Sequence, residues 1–236
     1  WSPDGSRVAY VRQPDASLPS FQHTDIHILD VVGGESRGLV TGPGSDGSPV
    51  WSPDGRWILF TEYDKDLDSS FYLNNEFARI PSAGGDIEIL TRGFDEDVGG
   101  ATWTEAGIRF VASHRTERTL YQLDPGTGTI SEIALPTPNV GSVSFNEDGT
   151  VVAFTGQSGE SLGEVYRAWG GGIAGGPSDG RLEHAKLTDM TGQTDGWRVG
   201  SSEVITWESE DGAEIEGVLH KPSNYDPSRR YPLLVV

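Results

Sequence analysis

Short apolar runs, each entered and left through turn residues, recur along this 236-residue chain. Four of them sit at matching places: Val8-Ala-Tyr-Val11, Trp57-Ile-Leu-Phe60, Ile108-Arg-Phe-Val111 and Val151-Val-Ala-Phe154. Each follows a related five-residue stretch. Trp1-Ser-Pro-Asp-Gly5 returns unchanged as Trp51-Ser-Pro-Asp-Gly55, then in weaker form as Trp103-Thr-Glu-Ala-Gly107 and Phe145-Asn-Glu-Asp-Gly149. In this unit Pro fixes φ at the first corner, Asp bonds its own backbone and Gly supplies a positive φ. The repeated element is therefore predicted to be strand, tight turn, strand. An isolated hairpin cannot bury both faces, so such units must stack. A repeat of 42 to 52 residues suits the four-stranded blade of a β-propeller.

Period-two alternation extends the prediction to whole blades. The first blade uses Val8–Val11, Asp25–Asp30 and Gly38–Thr41. The second uses Ser48–Trp51, Trp57–Tyr63, Glu76–Ile80 and Ile87–Leu90, and the third Gly100–Trp103, Ile108–Ala112, Thr119–Leu123 and Ile130–Ile133. The fourth uses Val140–Phe145, Val151–Thr155, Glu164–Arg167 and His184–Thr188. It is interrupted by Gly170–Gly180, which has so few apolar side chains that a flexible surface insertion is expected. Beyond Thr188 the repeat stops. A new hairpin, Val204–Trp207 with Ile215–Leu219 around Ser209-Glu-Asp-Gly212, leads through a Pro-rich loop to an apolar strand at Tyr231–Val236. The expected fold class is mainly β. Residues 1–200 form a partial propeller of about four four-stranded blades, and residues 201–236 begin a different unit.

Composition narrows the function classes. Hydrophobic residues make up only 35%, and 32 glycines favour short strands and frequent turns over packed helices. No run is long enough to span a membrane as a helix. The absence of cysteine excludes disulfides and thiolate metal sites and is compatible with the cytoplasm, the expected compartment. A formal net charge of −19 repels nucleic acid and anionic membranes. The chain opens inside a repeat motif and closes on an apolar run, so it reads as an internal piece of a larger protein.

The order of parts then becomes distinctive. Trp-Ser-Pro-Asp-Gly repeats lead into Glu203-Val-Ile-Thr-Trp207-Glu-Ser-Glu-Asp-Gly212-Ala-Glu-Ile-Glu-Gly217-Val-Leu-His-Lys-Pro222, then Tyr231-Pro-Leu-Leu-Val-Val236. This resembles the prolyl oligopeptidase family of serine peptidases, in particular its acylaminoacyl-peptidase-like branch. In that family a β-propeller precedes an α/β-hydrolase domain. The resemblance implies that residues 201–236 are the first hydrolase strands and that the propeller restricts entry to short peptides. It further implies a Ser-His-Asp triad lying beyond Val236, with no cofactor. The partners implied are a peptide substrate and the hydrolase domain of the same chain. The propeller repeats alone also resemble TolB-like propellers, which keeps open a non-catalytic module binding a protein partner.

No catalytic, cofactor or metal residue is assigned within the chain. Gly176-Pro-Ser178-Asp-Gly180 matches Gly-x-Ser-x-Gly, but a nucleophile elbow needs a buried strand before the serine and a helix after it. Gly-rich sequence precedes Ser178 and no clear helix follows, so a loop is expected. Asp64-Lys-Asp66-Leu-Asp68 opens like a calcium loop, yet Ser69 and Asn75 occupy the positions where Gly and Glu are required. Asp95-Glu-Asp97 is expected in a solvated connecting loop; the alternative is a place facing the channel, where paired carboxylates would attract a peptide amino terminus. The histidines at 23, 27, 114, 184 and 220 lack metal-ligand spacing and are expected to be structural or exposed. Trp51, Trp57 and Trp103 are expected to pack between blades.

Overall fold

The computed structural model describes residues 1–17, 23–63, 74–174 and 181–235. The Asp64–Asp68 segment and Ser178 lie outside them. The recurrent turn is built by the same bonds wherever its serine and aspartate are present. At Trp51–Gly55 the Ser52 hydroxyl donates to Asp54 Oδ1 at 2.7 Å and accepts from Trp57 N at 2.9 Å. The Asp54 carboxylate also accepts from Arg56 N at 3.0 Å, and Gly55 N donates to the Ser52 carbonyl at 2.9 Å. Gly55 sits at φ 69°, a left-handed conformation that a Cβ would strain. Ser2, Asp4 and Gly5 repeat this arrangement, with Ser2 Oγ to Asp4 Oδ1 at 2.6 Å. Asn146 takes the serine role in the last blade, accepting from Val151 N at 2.8 Å. In the third copy Ala106 replaces the aspartate, and the chain turns more tightly, pairing Thr104 directly with Gly107.

Among the described residues these turns organise seventeen strands. The first sheet is β1 (Arg7–Arg12), β2 (Asp25–Asp30) and β3 (Ser36–Val40). The second is β4 (Asp46–Trp51), β5 (Trp57–Glu62), β6 (Glu76–Pro81) and β7 (Glu88–Ile89). The third group is β8 (Thr102–Thr104), β9 (Gly107–His114), β10 (Glu117–Leu123) and β11 (Ile130–Ile133). The fourth is β12 (Asn139–Phe145), β13 (Val151–Ser158), β14 (Ser161–Gly170) and β15 (Leu182–Lys186). Within each group neighbours in sequence pair antiparallel, which is the meander of a propeller blade. A parallel contact between Arg118 of β10 and Asn139 of β12 joins the last two groups into one sheet. β16 (Ser201–Glu208) and β17 (Glu214–Lys221) form a separate two-stranded hairpin.

Alternation along each strand sends successive side chains to opposite neighbours. On β5, Ile58 and Phe60 join Ile26, Ile28 and Trp51 between the first two blades, while Leu59 joins the next cluster. On β9, Ile108, Phe110 and Ala112 face the second blade and Val111 faces the fourth. The central cluster includes an aromatic group: Phe110 meets Phe77 edge-on at 5.2 Å between ring centroids and stacks on Tyr121 at 5.5 Å. Truncating one of these fully buried rings to alanine costs about 3–5 kcal/mol.

Of the tryptophans expected between blades, Trp51 and Trp103 pack there, whereas Trp57 joins none of the core clusters. Trp51 is buried and its ring carries the Arg7 guanidinium at 4.7 Å, while Trp103 packs partly buried against the central cluster. Trp57 is half-buried with Arg79 over it at 4.5 Å.

Two expectations are corrected. The Gly-rich stretch does not leave the fold at Gly170: β14 runs through that residue, Gly171–Ala174 form a 3-10 turn, and Ile173 is fully buried in the third core cluster. Residues 175–180 lie outside the described residues. The run at 231–235 forms no strand: it has no pairing partner among the described residues, and Leu233, Leu234 and Val235 are exposed.

Candidate functional site

The most informative polar geometry lies where the β16–β17 hairpin meets the blades. The β9–β10 turn places Arg115 in the left-handed region at φ 55°, which is uncommon for a side chain of this size. From there its Nη1 donates to Glu214 Oε1 at 2.8 Å and to Glu216 Oε1 at 2.7 Å, both on β17. The Thr116 hydroxyl donates to Glu216 Oε2 at 3.2 Å. The Arg115 hydrogen bond is the main reason that Glu216 is held below the usual carboxylate range, and Glu216 in turn raises Arg115. A second contact comes from the β13–β14 turn, where a Cβ on Gly159 would lie 3.2 Å from the Ser202 side chain. The hairpin thus rests on the turns of the third and fourth blades.

Its two faces differ. Register pairs Trp207 with Ile215 and Ile205 with Gly217, which gathers Ile205, Trp207, Ile215 and Leu219 on one face. Ile205, Trp207 and Ile215 on this face are exposed. The Trp207 ring lies against Gly217, where a Cβ would come within 2.9 Å of it. The opposite face carries Glu214 and Glu216, the exposed pair Val204 and Val218, and Ser202 paired with His220 at 2.7 Å from Oγ to Nδ1. That Ser-His contact is a cross-strand pair. Nδ1 is engaged by the serine, and among the described residues no carboxylate bonds the ring, so it lacks the oriented base of a triad.

The chain leading to the hairpin is fixed by one buried carboxylate. Glu164 on β14 accepts from Thr188 Oγ1 at 2.6 Å, Met190 N at 2.9 Å, Thr191 N at 2.8 Å and Thr191 Oγ1 at 2.7 Å. These bonds, the Thr188 hydroxyl foremost, depress its pKa strongly.

The residues singled out in the sequence fall into structural roles. Asp97 accepts from Asn75 N at 2.7 Å and Nδ2 at 2.8 Å, which ties the connecting loop to the second blade. Glu96 contacts His114 Nδ1 at 3.2 Å beside the Arg115 turn. His27 is buried against Tyr10, and His184 lies on β15. Among the described residues no group of three His, Asp or Glu side chains is arranged to hold a metal. No described helix is long and apolar enough to cross a membrane. Arg115, Glu164, Glu214, Glu216 and the Ser202–His220 pair were not visible in the sequence, because each is defined by a partner brought in by the fold. Arg109 did leave a signal: like Arg7 it stands two residues after the turn glycine, and both guanidinium groups lie over the next repeat's aromatic, Phe145 at 5.1 Å and Trp51 at 4.7 Å. Arg109 is wholly buried, which lowers its pKa, and it donates to Thr104 Oγ1 at 2.8 Å and to the Ile173 carbonyl.

No family model matches the chain. Among solved structures, an acylaminoacyl peptidase in complex with Z-Gly-Gly-Phe-chloromethyl ketone superposes with a TM-score of 0.71 at 18% identity, over 98% of this chain and 33% of that one. The chain shares the fold of the matched third of that peptidase. TolB from Acinetobacter baumannii also has this fold, with a TM-score of 0.55 at 19% identity over 93% of this chain and 50% of that chain. In sequence, the uncharacterized peptidase YuxL of Bacillus subtilis is 40% identical over 63 residues, which are 26% of this chain and 8% of that protein. The chain therefore spans about a third of the peptidase structure it matches and less of the curated relative.

Proposed function

We propose that this chain is the propeller-bearing portion of a serine peptidase that hydrolyses short peptides, with the blades gating access to a hydrolase domain begun by residues 201–236. One observation carries the reading. The β16–β17 hairpin adds to no blade, is held to the propeller through Arg115, and turns an apolar face of Ile205, Trp207 and Ile215 to solvent. Such a face suits the first strands of a second domain, which would pack against it. The nucleophilic serine, general-base histidine and orienting aspartate would then be carried by polypeptide following Val236. The likeness to TolB supports a second reading, a propeller that binds a protein partner without catalysis.

Reading the coding sequence past Val236 separates the two. A His-Gly-Gly-Pro-like loop, then Gly-x-Ser-x-Gly, then Asp and His in that order, is the result expected for the peptidase. A stop codon soon after Val236, or a hydrolase domain without the serine, would overturn it.

A further inference from the structure

A cleft of about 190 Å³ opens between the third and fourth blades. Strand register builds its polar wall. Arg118 on β10 pairs with Asn139 on β12, and Asn139 pairs with Gln157 on β13. Directly paired residues project from the same side of a sheet, so Arg118, Asn139 and Gln157 form one row across three strands. All three line the cleft. Each carries N–H donors, five on the guanidinium and two on each amide. The rest of the lining includes Gly141, Gly156 and Gly163. Two of these glycines are required by packing: a Cβ at Gly141 would lie 2.3 Å from Thr155 Oγ1, and one at Gly156 would lie 2.4 Å from Thr137 Oγ1. At Gly163 a Cβ would meet nothing within 4 Å. Gly163 thus leaves open space at the edge of the cleft.

The charge of the lining is the second argument. The chain has 36 acidic and 17 basic residues, yet no Asp or Glu lines this cleft. Among the described residues the Arg118 guanidinium has no ion-pair partner, whereas Arg115, three residues earlier, has two. The two amides can turn their N–H groups toward an anion beside the unpaired guanidinium, and a carboxylate matches the planar fork of arginine. The strongly negative molecule disfavours polyanions, which leaves a ligand with a single anionic end.

We propose that Arg118, Asn139 and Gln157 form a binding site for the free C-terminal carboxylate of a short peptide. The peptide as ligand class rests on the peptidase reading. The carboxylate specificity rests on the row itself. Its position fits delivery toward the hairpin side. Arg118 follows the Arg115–Thr116 turn that holds β17, and Gln157 precedes the β13–β14 turn that meets Ser202.

The test is binding to the 236-residue chain of an N-acetylated tetrapeptide made once with a free C-terminal carboxylate and once as the carboxamide. Titration calorimetry would give affinities, and backbone amide shifts would locate the contact. The acid should bind at least about 10-fold more tightly than the amide, with shifts centred on residues 139–141, 156–157 and 163. R118Q should abolish that preference and R118K should keep part of it. Arg118 is exposed, so both variants should fold with unchanged circular dichroism. A C-amidated peptide with an internal aspartate, and inorganic phosphate, test other anionic sources; either binding as well as the terminal carboxylate would overturn the assignment. Equal affinity for acid and amide would overturn it while leaving peptide binding intact, and no binding of either would overturn it outright. The peptidase reading is judged separately, by serine-directed labelling of a protein that carries the coding sequence past Val236.

Discussion

At the residue scale, the repeated turn works because one hydroxyl and one carboxylate satisfy several backbone groups at once. Ser52 is the largest cause of the low pKa of Asp54, about 2, with bonds from Arg56 adding to it. The folded value lies below the unfolded one. The turn's contribution is therefore complete above the ordinary aspartate range and is lost as pH falls through about 2. Carbon-detected NMR should show Asp54 titrating near 2, and Ser52→Ala should move it up toward the ordinary value. An Asp54 that titrates at the ordinary value in the unaltered protein would show that the hydroxyl bond does not form in solution. This motif could be read from sequence because its partners lie within five residues. The Arg109 environment could be read only in part. Its spacing from the turn glycine was visible, but the Ile173 carbonyl that receives it comes from 64 residues away.

At the element scale, period-two alternation located nearly every strand, since each strand feeds side chains to two neighbouring blades. It failed where that logic has no purchase. A single isoleucine among glycines gives no period, so the burial of Ile173 was invisible. An apolar run such as 231–235 signals a strand only when a partner is present. The attachment of the β16–β17 hairpin was equally hidden, because Arg115 and Glu216 are 101 residues apart. That attachment can be tested alone. Arg115→Ala should speed amide exchange across β16 and β17 several-fold, while the global melting temperature moves by about 2 °C or less, since exposed ion pairs contribute little to overall stability. Unchanged exchange in the hairpin would mean that Arg115 does not hold it.

At the scale of the whole molecule, the repeat made the stacked-sheet architecture legible, because no single blade buries its own faces. The proposed peptidase reading draws on the junction sequence, not on the repeats. The described residues contain structural carboxylates, a buried arginine and a cross-strand Ser-His pair, but no triad. On the proposed reading, catalysis belongs to polypeptide outside residues 1–236 and these residues admit and hold a peptide. The most direct check is labelling with a fluorophosphonate probe, followed by mass-spectrometric mapping, on the native protein and on the 236-residue chain in parallel. The prediction is stoichiometric modification of one serine beyond Val236 in the native protein and none in the 236-residue chain. Labelling at Ser178 or Ser202, or a native protein that takes up no probe, would contradict it.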